Sequence, residues 1–386
     1  MSLNNPNFPS SLCAVRNRIL VSVQADTNWE SLEDYHVRLR IMEEVGYRSG
    51  TWQEYLTLRH YAPLSDRFVY FEISTLLEDL LQPDPPPANI SDRLPQRLEQ
   101  SSRRVRIELE EYVGGNLNSS PYTYTFHILR AGFNKYLGQN LFKWAVTDGN
   151  PLTRQPSWKD TTPFLPEYHT AVLPANMTVR LKYKAYFEDG TDQTVSTSKT
   201  YQGIQYDVIR FPAGYEQLGL DQLSQQVTKW EVWLINDSDQ SEVGEHTSYR
   251  LDPWDCSPMP RYFLWEGSLG GWHSLRSKGE RSRNANISST QVERLIPVGS
   301  LQQVRQQYRT EYEQVYEQYS GYLPNGHADW LLDLMISEDV YITQDFGYLR
   351  ERIAIDRGSF TVNQDNDFLE RISFNYRDAT GAHRGL

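Results

Sequence analysis

Alternation of apolar and polar residues runs through most of the chain and predicts β-strands. In residues 35–41 every second side chain is apolar, and histidine and arginine fill the positions between. The ten residues 178–187 alternate in the same way. Because successive side chains of a strand point to opposite faces, both segments are typical of half-buried strands in antiparallel sheets. Further strands are predicted at residues 19–23, 52–58, 68–73, 105–112, 122–129, 194–200, 206–211, 227–235, 247–251, 340–342, 352–355, 359–362 and 369–376.

Two short helices are predicted between the strands. Ser74 stands at the N-cap position before a stripe of leucines, and this helix ends before the proline-rich residues 83–87. Residues 327–337 carry a second apolar stripe that includes Trp330 and Leu334. Residues 304–319 fit both a helical stripe and one face of a strand, so their conformation stays open.

An aromatic stretch at residues 261–280 predicts a β-hairpin. A run of four apolar residues is followed by two glycines, which tolerate the positive φ of a tight turn, and then by a return strand. We expect Trp272 to pack into the core of the middle β unit and to hold the hairpin. The candidate structural and interface residues are Tyr262, Phe263, Trp265, Gly270, Gly271 and Trp272 of this hairpin, with Trp230 and Trp233 of the strand at residues 227–235.

Strands at roughly ten-residue spacing, separated by polar turns, are typical of β-sandwiches. We therefore predict an all-β protein with two or three antiparallel β-sandwich-like modules and two short helices. The predicted domains are an N-terminal β-sandwich-like domain at residues 1–150, with the proline-rich loop near 83–87, and a second one at residues 151–300, which contains the hairpin. A small α+β module follows at residues 301–386.

Composition excludes several classes of partner. The 386-residue chain has a net charge of −12, which disfavours binding to nucleic acid. Apolar runs are far shorter than a membrane-spanning helix, so no membrane insertion is expected. The 2 cysteines form no CxxC pair and the 8 histidines are scattered, so neither a metal site nor another cofactor is predicted. The basic clusters at residues 103–106 and 276–283 are interpreted as solvated strand edges.

Candidate catalytic groups do not converge. Adjacent carboxylates, such as Glu43 and Glu44, point to opposite faces of a strand and cannot act together on a substrate. The acidic turn at residues 237–242 lacks the glycine and the ligand spacing of a calcium loop. The prediction is that the chain is not an enzyme. Tryptophans such as Trp52 and Trp144 could stack on sugars, although aromatic residues of sandwiches more often fill cores or interfaces.

Four segments resemble, in the same order, those of large tail and baseplate-type structural proteins from phages and prophages of Bacteroidota. They are FEIS at residues 71–74 with the leucines that follow, FPAGYEQLG at 211–219, RYFLWEGSLGGW at 261–272 and WLLDLMISEDVY at 330–341. The sequence departs from the pattern at Gly267, where asparagine is usual, and at His273, where aspartate is usual. The resemblance implies a tail or baseplate component and gives no catalytic residue.

The resemblance leads to the expectation of a virion structural protein, a tail-tip or baseplate subunit that links the tail tube to the fibres. Its partners would be other tail or baseplate proteins and further copies of itself in a homo-oligomer, within the virion tail. One alternative is a carbohydrate-binding adhesin that recognises a cell-surface glycan, and another is a glycan-active enzyme. Grouped exposed aromatic residues would favour the adhesin, and two converging carboxylates would favour the enzyme.

Overall fold

The computed structural model describes residues 3–25, 28–62, 67–87, 93–133, 140–252, 260–293, 305–323, 326–343, 350–356, 371–379 and 383–384. Most of these residues lie in strands, and the helices are short, which confirms the predicted all-β class. The predicted strand at residues 359–362 lies outside the described residues.

The strands are numbered along the chain. They are β1 (Asn4–Asn7), β2 (Leu12–Ala14), β3 (Leu20–Gln24), β4 (His36–Glu44), β5 (Trp52–His60), β6 (Phe68–Glu72), β7 (Gln96–Arg97), β8 (Ser102–Val113), β9 (Asn116–Leu117), β10 (Tyr122–Leu129), β11 (Lys159–Thr161), β12 (Tyr168–Val172), β13 (Met177–Phe187), β14 (Asp192–Gly203), β15 (Val208–Pro212), β16 (Val227–Asn236), β17 (Glu242–Leu251), β18 (Arg261–Glu266), β19 (Trp272–Ser277), β20 (Arg281–Glu293), β21 (Arg305–Tyr319), β22 (Val340–Thr343), β23 (Arg350–Ile355), β24 (Ser373–Asp378) and β25 (His383–Arg384). The α-helices are α1 (Ser74–Glu78), α2 (Tyr215–Leu218) and α3 (His327–Ile336). Short 3-10 turns lie at Trp29–Ser31 and Leu220–Gln222, and a π-helical turn lies at Lys143–Thr147.

The N-terminal strands form two sheets around one core. One sheet has the order β2-β10-β8-β4-β5, with β9 beside β8, and the other has the order β1-β3-β6. The alternation in β4 places Leu39 opposite Leu109 and Ile41 opposite Ile107, all fully buried. These side chains share a core with Val21 of the smaller sheet, which gives a sandwich. Strand β2 runs parallel to β10, whereas the other pairs of the two sheets are antiparallel.

A second sandwich follows in the middle of the chain. Its larger sheet has the order β11-β17-β16-β13-β14, and its smaller sheet has the order β12-β15-β7. Leu181 of β13 pairs with Leu234 of β16, and both are buried against Phe211 of β15. Strand β7 belongs to the N-terminal part of the sequence, so the smaller sheet draws strands from both sides of the predicted boundary at residue 150.

The third sheet has the order β19-β18-β22-β23-β24-β21-β20, with β25 beside β21. Helix α3 covers it and contributes Trp330 and Leu334 to a core that also contains Phe374 of β24. Strand β18 pairs with β22, so the hairpin at residues 261–280 is continuous with strands beyond the predicted boundary at residue 300. The domain boundaries themselves stay a prediction.

Several local predictions need correction. Helix α1 begins at Ser74 with Ile73 as its N-cap residue, so Ser74 lies inside the first turn and its hydroxyl does not cap the helix. The loop predicted at residues 212–219 contains α2. The ambiguous residues 304–319 form the strand β21 from Arg305 onwards, because β20 and β24 supply backbone partners on either side. The strand β20 has no counterpart among the predicted elements.

Candidate functional site

The tip of the β18–β19 hairpin requires its glycines for two different reasons. The amide of Gly267 donates to the carbonyl of Gly271 over 2.7 Å, and Gly270 adopts a φ of +86°, which favours glycine. At Gly271 the reason is space, because a Cβ atom would lie 2.1 Å from the carbonyl oxygen of Leu152. The tip therefore packs directly on the backbone of a distant segment.

The aromatic candidates of the hairpin are core residues. Tyr262, Phe263, Trp265 and Trp272 are at most 4% exposed. The rings of Trp265 and Trp330 lie 5.1 Å apart between centroids, which attaches β18 to α3. Trp272 faces the other way and packs with Tyr168 of the middle sandwich. These side chains hold the fold together, so a partner has to contact other residues.

The two tryptophans of β16 have different surroundings. Trp230 is fully buried, stacks on Tyr249 at 5.4 Å and donates its indole N–H to the carbonyl of Ala213. Trp233, on the opposite face, is 5% exposed and stacks on His246 at 4.3 Å. The structure therefore separates the two side chains, and they form no common platform for a ligand.

A buried ion pair lies beneath the hairpin. The ammonium of Lys159 donates to Glu167 over 2.5 Å and to the hydroxyl of Ser274 over 3.1 Å. The other oxygen of Glu167 accepts from Thr161 and from Ser274, at 2.7 and 2.9 Å. The side chains of Lys159 and Glu167 are each 1% exposed. Strand β11, the segment before β12 and strand β19 thus meet in one hydrogen-bonded polar cluster.

Burial shifts the ionisation of this pair in opposite directions. Removal from water lowers the pKa of Lys159 and raises the pKa of Glu167, whereas their mutual attraction opposes both shifts. A lysine beside a serine hydroxyl can activate a nucleophile in some enzymes. Here the hydroxyl of Ser274 donates to Glu167, and the side chain is 1% exposed, so a substrate has no route to it. The cluster acts in packing.

A second charged network joins distant parts of the chain. Arg130, whose side chain is 8% exposed, contacts Glu266 of the hairpin and lies 2.7 Å from Glu338 and 3.3 Å from Asp339. Glu338 also accepts from Arg16 over 3.2 Å. The network therefore fixes the end of β10 against both β18 and the segment that precedes β22.

Strands β20 and β21 form a long hairpin, called here the arm. Strand β20 has 13 residues, β21 has 15, and they pair along their whole length. Every residue from 281 to 291 is exposed, and Ile287 reaches 70%. Strand β24 pairs only with residues 315–319 of β21, and β25 only with residues 311 and 312. The outer residues 305–310 have only β20 beside them within the described chain, so at about 3.4 Å per residue the arm extends roughly 20 Å beyond its sheet.

Sequence reasoning missed these features for identifiable reasons. The arm begins in the basic cluster at residues 276–283, whose interpretation as a solvated edge fits Arg281 and Arg283 but is wrong for Arg276, which is 5% exposed. Alternation around Ile287 was the available signal for β20. Lys159 and Glu167 carry no such signal, because their partner Ser274 is distant in the sequence.

Comparisons with known proteins give no family for the chain. No protein-family model matches it, and no curated protein matches it at a significant level. Within the described residues, no group of three or more histidine, cysteine or acidic side chains could hold a metal ion. Among the helices of those residues, none is both long and apolar enough to span a membrane.

Proposed function

We propose that the chain is a structural subunit of a phage or phage-derived particle, at the tail tip or baseplate, and that it assembles through the arm. The observation that carries the proposal is the exposure of β20, the outer strand of the arm, on both faces. A two-stranded ribbon is only marginally stable in water, and an exposed edge strand offers a row of unpaired backbone groups to another chain. Both properties are expected of an assembly element.

A second copy of the chain is the partner that β20 fits. Two β20 strands that pair antiparallel about a two-fold axis at Ile287 bring the exposed side chains of Ile287 together. The same register places Arg281 of each copy opposite position 293 of the other, which is a glutamate in the sequence. An isologous contact of this kind closes on itself and gives a defined dimer, from which a larger ring can be built.

The oligomeric state tests this arm contact. We expect sedimentation of the full chain to show a dimer or a higher oligomer, and Ile287→Lys to shift it towards the monomer, because a lysine in an edge strand opposes edge-to-edge pairing. Ile336→Lys is the matched control, since Ile336 is 57% exposed at the end of α3. A monomeric wild type, or equal effects of the two substitutions, would contradict assembly through the arm.

The particle itself tests the wider proposal. We expect mass spectrometry of particles purified from a strain that carries the gene to find the chain in a fixed ratio to the tail-tube protein. Cryo-electron microscopy of the same particles should place it at the end of the tube. Absence from such particles would refute the virion role, even if the isolated chain forms dimers.

A further inference from the structure

The two faces of the arm differ in chemistry. Side chains that lie directly opposite each other in an antiparallel pair share a face of the sheet. Ile287 lies opposite Tyr312, whereas Asn286 lies opposite Glu313, so these two pairs belong to different faces. The first, called here the core face, carries Arg283, Ala285, Ile287, Tyr312, Gln314 and Tyr316. The second, called here the acidic face, carries Asn284, Asn286, Ser288, Glu311, Glu313 and Glu317.

The core face of the arm continues the hydrophobic core beneath α3. Tyr316 lies opposite Tyr376 of β24 and stacks on its ring at 5.1 Å, and both side chains contact that core. Further out on the same face, Ile287 is 70% exposed. Within residues 281–291 and 311–318, the core face carries no carboxylate. An antiparallel sheet with one apolar and one polar face typically packs the apolar face and leaves the other in water.

The acidic face is suited to water. Glu313 accepts from the guanidinium of Arg377 over 2.9 and 3.0 Å, and Glu317 accepts from the hydroxyl of Tyr319 over 2.8 Å. Within residues 281–291 and 311–318, this face carries no lysine or arginine. Two acidic faces in contact would repel each other, and a core face laid on an acidic face would bury carboxylates against apolar side chains. Face-to-face contact is therefore left to the core face.

The pairing of two β20 strands, on which this inference rests, makes one continuous apolar row. The two-fold axis at Ile287 is perpendicular to the sheet, so the core faces of both copies lie on the same side of a four-stranded ribbon. Across the axis the row consists of Tyr312 and Ile287 of one copy and the same two side chains of the other, over about 14 Å at about 4.8 Å between strands. Arg283 lies four residues from the axis, or about 14 Å along the strand, so its charge is outside this row.

We propose that two such dimers pack core face to core face and give a tetramer. A sheet with an apolar face has to bury it against another layer, and a second ribbon supplies a matching layer because the row through the axis is symmetric. The contact is isologous, so it closes on itself. Both acidic faces then point outward, and their like charge prevents further layers from adding.

Sedimentation velocity of the full chain over a range of concentrations tests the contact. We expect a tetramer that dissociates to the dimer on dilution. Ala285→Glu places a carboxylate on the core face, and Asn284→Glu, the matched control, places the same group one residue away on the acidic face. Both positions are exposed, so both variants should fold. We expect Ala285→Glu to raise the dissociation constant of the tetramer at least about tenfold and to leave the dimer intact, and Asn284→Glu to behave as the wild type does.

The possible failures are distinguishable. A wild type that stops at the dimer overturns the core-face contact and leaves the pairing of β20 standing. A monomeric wild type refutes that pairing and the tetramer with it. A tetramer that both substitutions weaken equally also overturns the proposal. If the wild-type dimer instead binds another tail protein, and Ala285→Glu but not Asn284→Glu abolishes that binding, the core face is a docking site for a different protein and the tetramer is refuted.

Discussion

Replacement of Lys159 by methionine should destabilise the protein strongly at neutral pH. Methionine keeps most of the aliphatic stem and removes the ammonium that lies 2.5 Å from Glu167. Removal of one partner of a buried ion pair typically costs about 3–5 kcal/mol, because the other charge is left unpaired in the interior. Glu167 keeps the hydroxyls of Thr161 and Ser274 as donors, so we do not expect unfolding outright.

The magnitude follows from the proton that Glu167 must take up in the variant. The ordinary pKa of its carboxyl is 4.5. When Lys159 is absent, burial alone acts on Glu167 and raises its pKa well above that value in the folded state. Protonation of a group with that ordinary pKa costs about 3.4 kcal/mol at pH 7, at 1.36 kcal/mol per unit, and only about 0.7 kcal/mol at pH 5. Because the pKa of Glu167 is higher in the folded variant than in the unfolded variant, the folded state binds the proton more tightly. Its deficit should therefore shrink as the pH falls.

Urea unfolding followed by tryptophan fluorescence, at pH 7 and pH 5, measures this deficit against the wild type. The double variant Lys159→Met with Glu167→Gln is the control, since glutamine still accepts from Thr161 and Ser274 and carries no charge. We expect the double variant to be more stable than the single one by at least about 1 kcal/mol at pH 7. A deficit that is the same at both pH values, or single effects that simply add, would refute this account of the pair.

Two further predictions concern the buried aromatic and imidazole groups. Trp272→Ala should lower the free energy of unfolding by about 3–5 kcal/mol, and an unchanged melting temperature would contradict its core role. Burial lowers the pKa of His127 and His273 to about 3 and of His169 to about 4, so below pH 6.5 the unfolded chain binds protons that the folded chain does not. The stability that the neutral rings contribute should therefore be fully present above pH 6.5 and be lost as the pH decreases towards 4, by up to about 1.4 kcal/mol per pH unit for each ring. The double replacement of His169 and His273 by glutamine should reduce this dependence of the free energy of unfolding on pH.

The local sequence pattern was sufficient to predict a strand wherever every second residue of that strand is buried. Leu39 and Ile41 predict β4, because alternate side chains of a strand face the core and the others face water. The glycines at 270 and 271 predict a turn, and this prediction also depends only on neighbouring residues. The class of the fold and both predicted helices follow from such signals, since each depends only on residues close together in the sequence.

Tertiary pairing decided what local pattern left open. Residues 305–319 satisfy a helical and a strand periodicity equally, and only the backbone partners from β20 and β24 select the strand. Gly271 is needed because the carbonyl of Leu152 lies against it, which no turn rule contains. The local pattern predicts the hairpin at residues 261–280 but does not predict its pairing with a strand from the end of the chain. The backbone groups at a strand edge are alike in every strand, so they do not specify which segment will pair with them.

The candidate sites depend on tertiary structure most of all. Lys159 resembles a surface lysine in the sequence, and the cluster forms only because the segment before β12, which carries Glu167, and strand β19, which carries Ser274, both pack against β11. The sequence alone determined the β class of this protein and those strands in which alternate residues are buried. The tertiary structure decided the arm and the buried charges, because β24 pairs with β21 and Ser274 contacts Lys159 from segments that are far away along the chain.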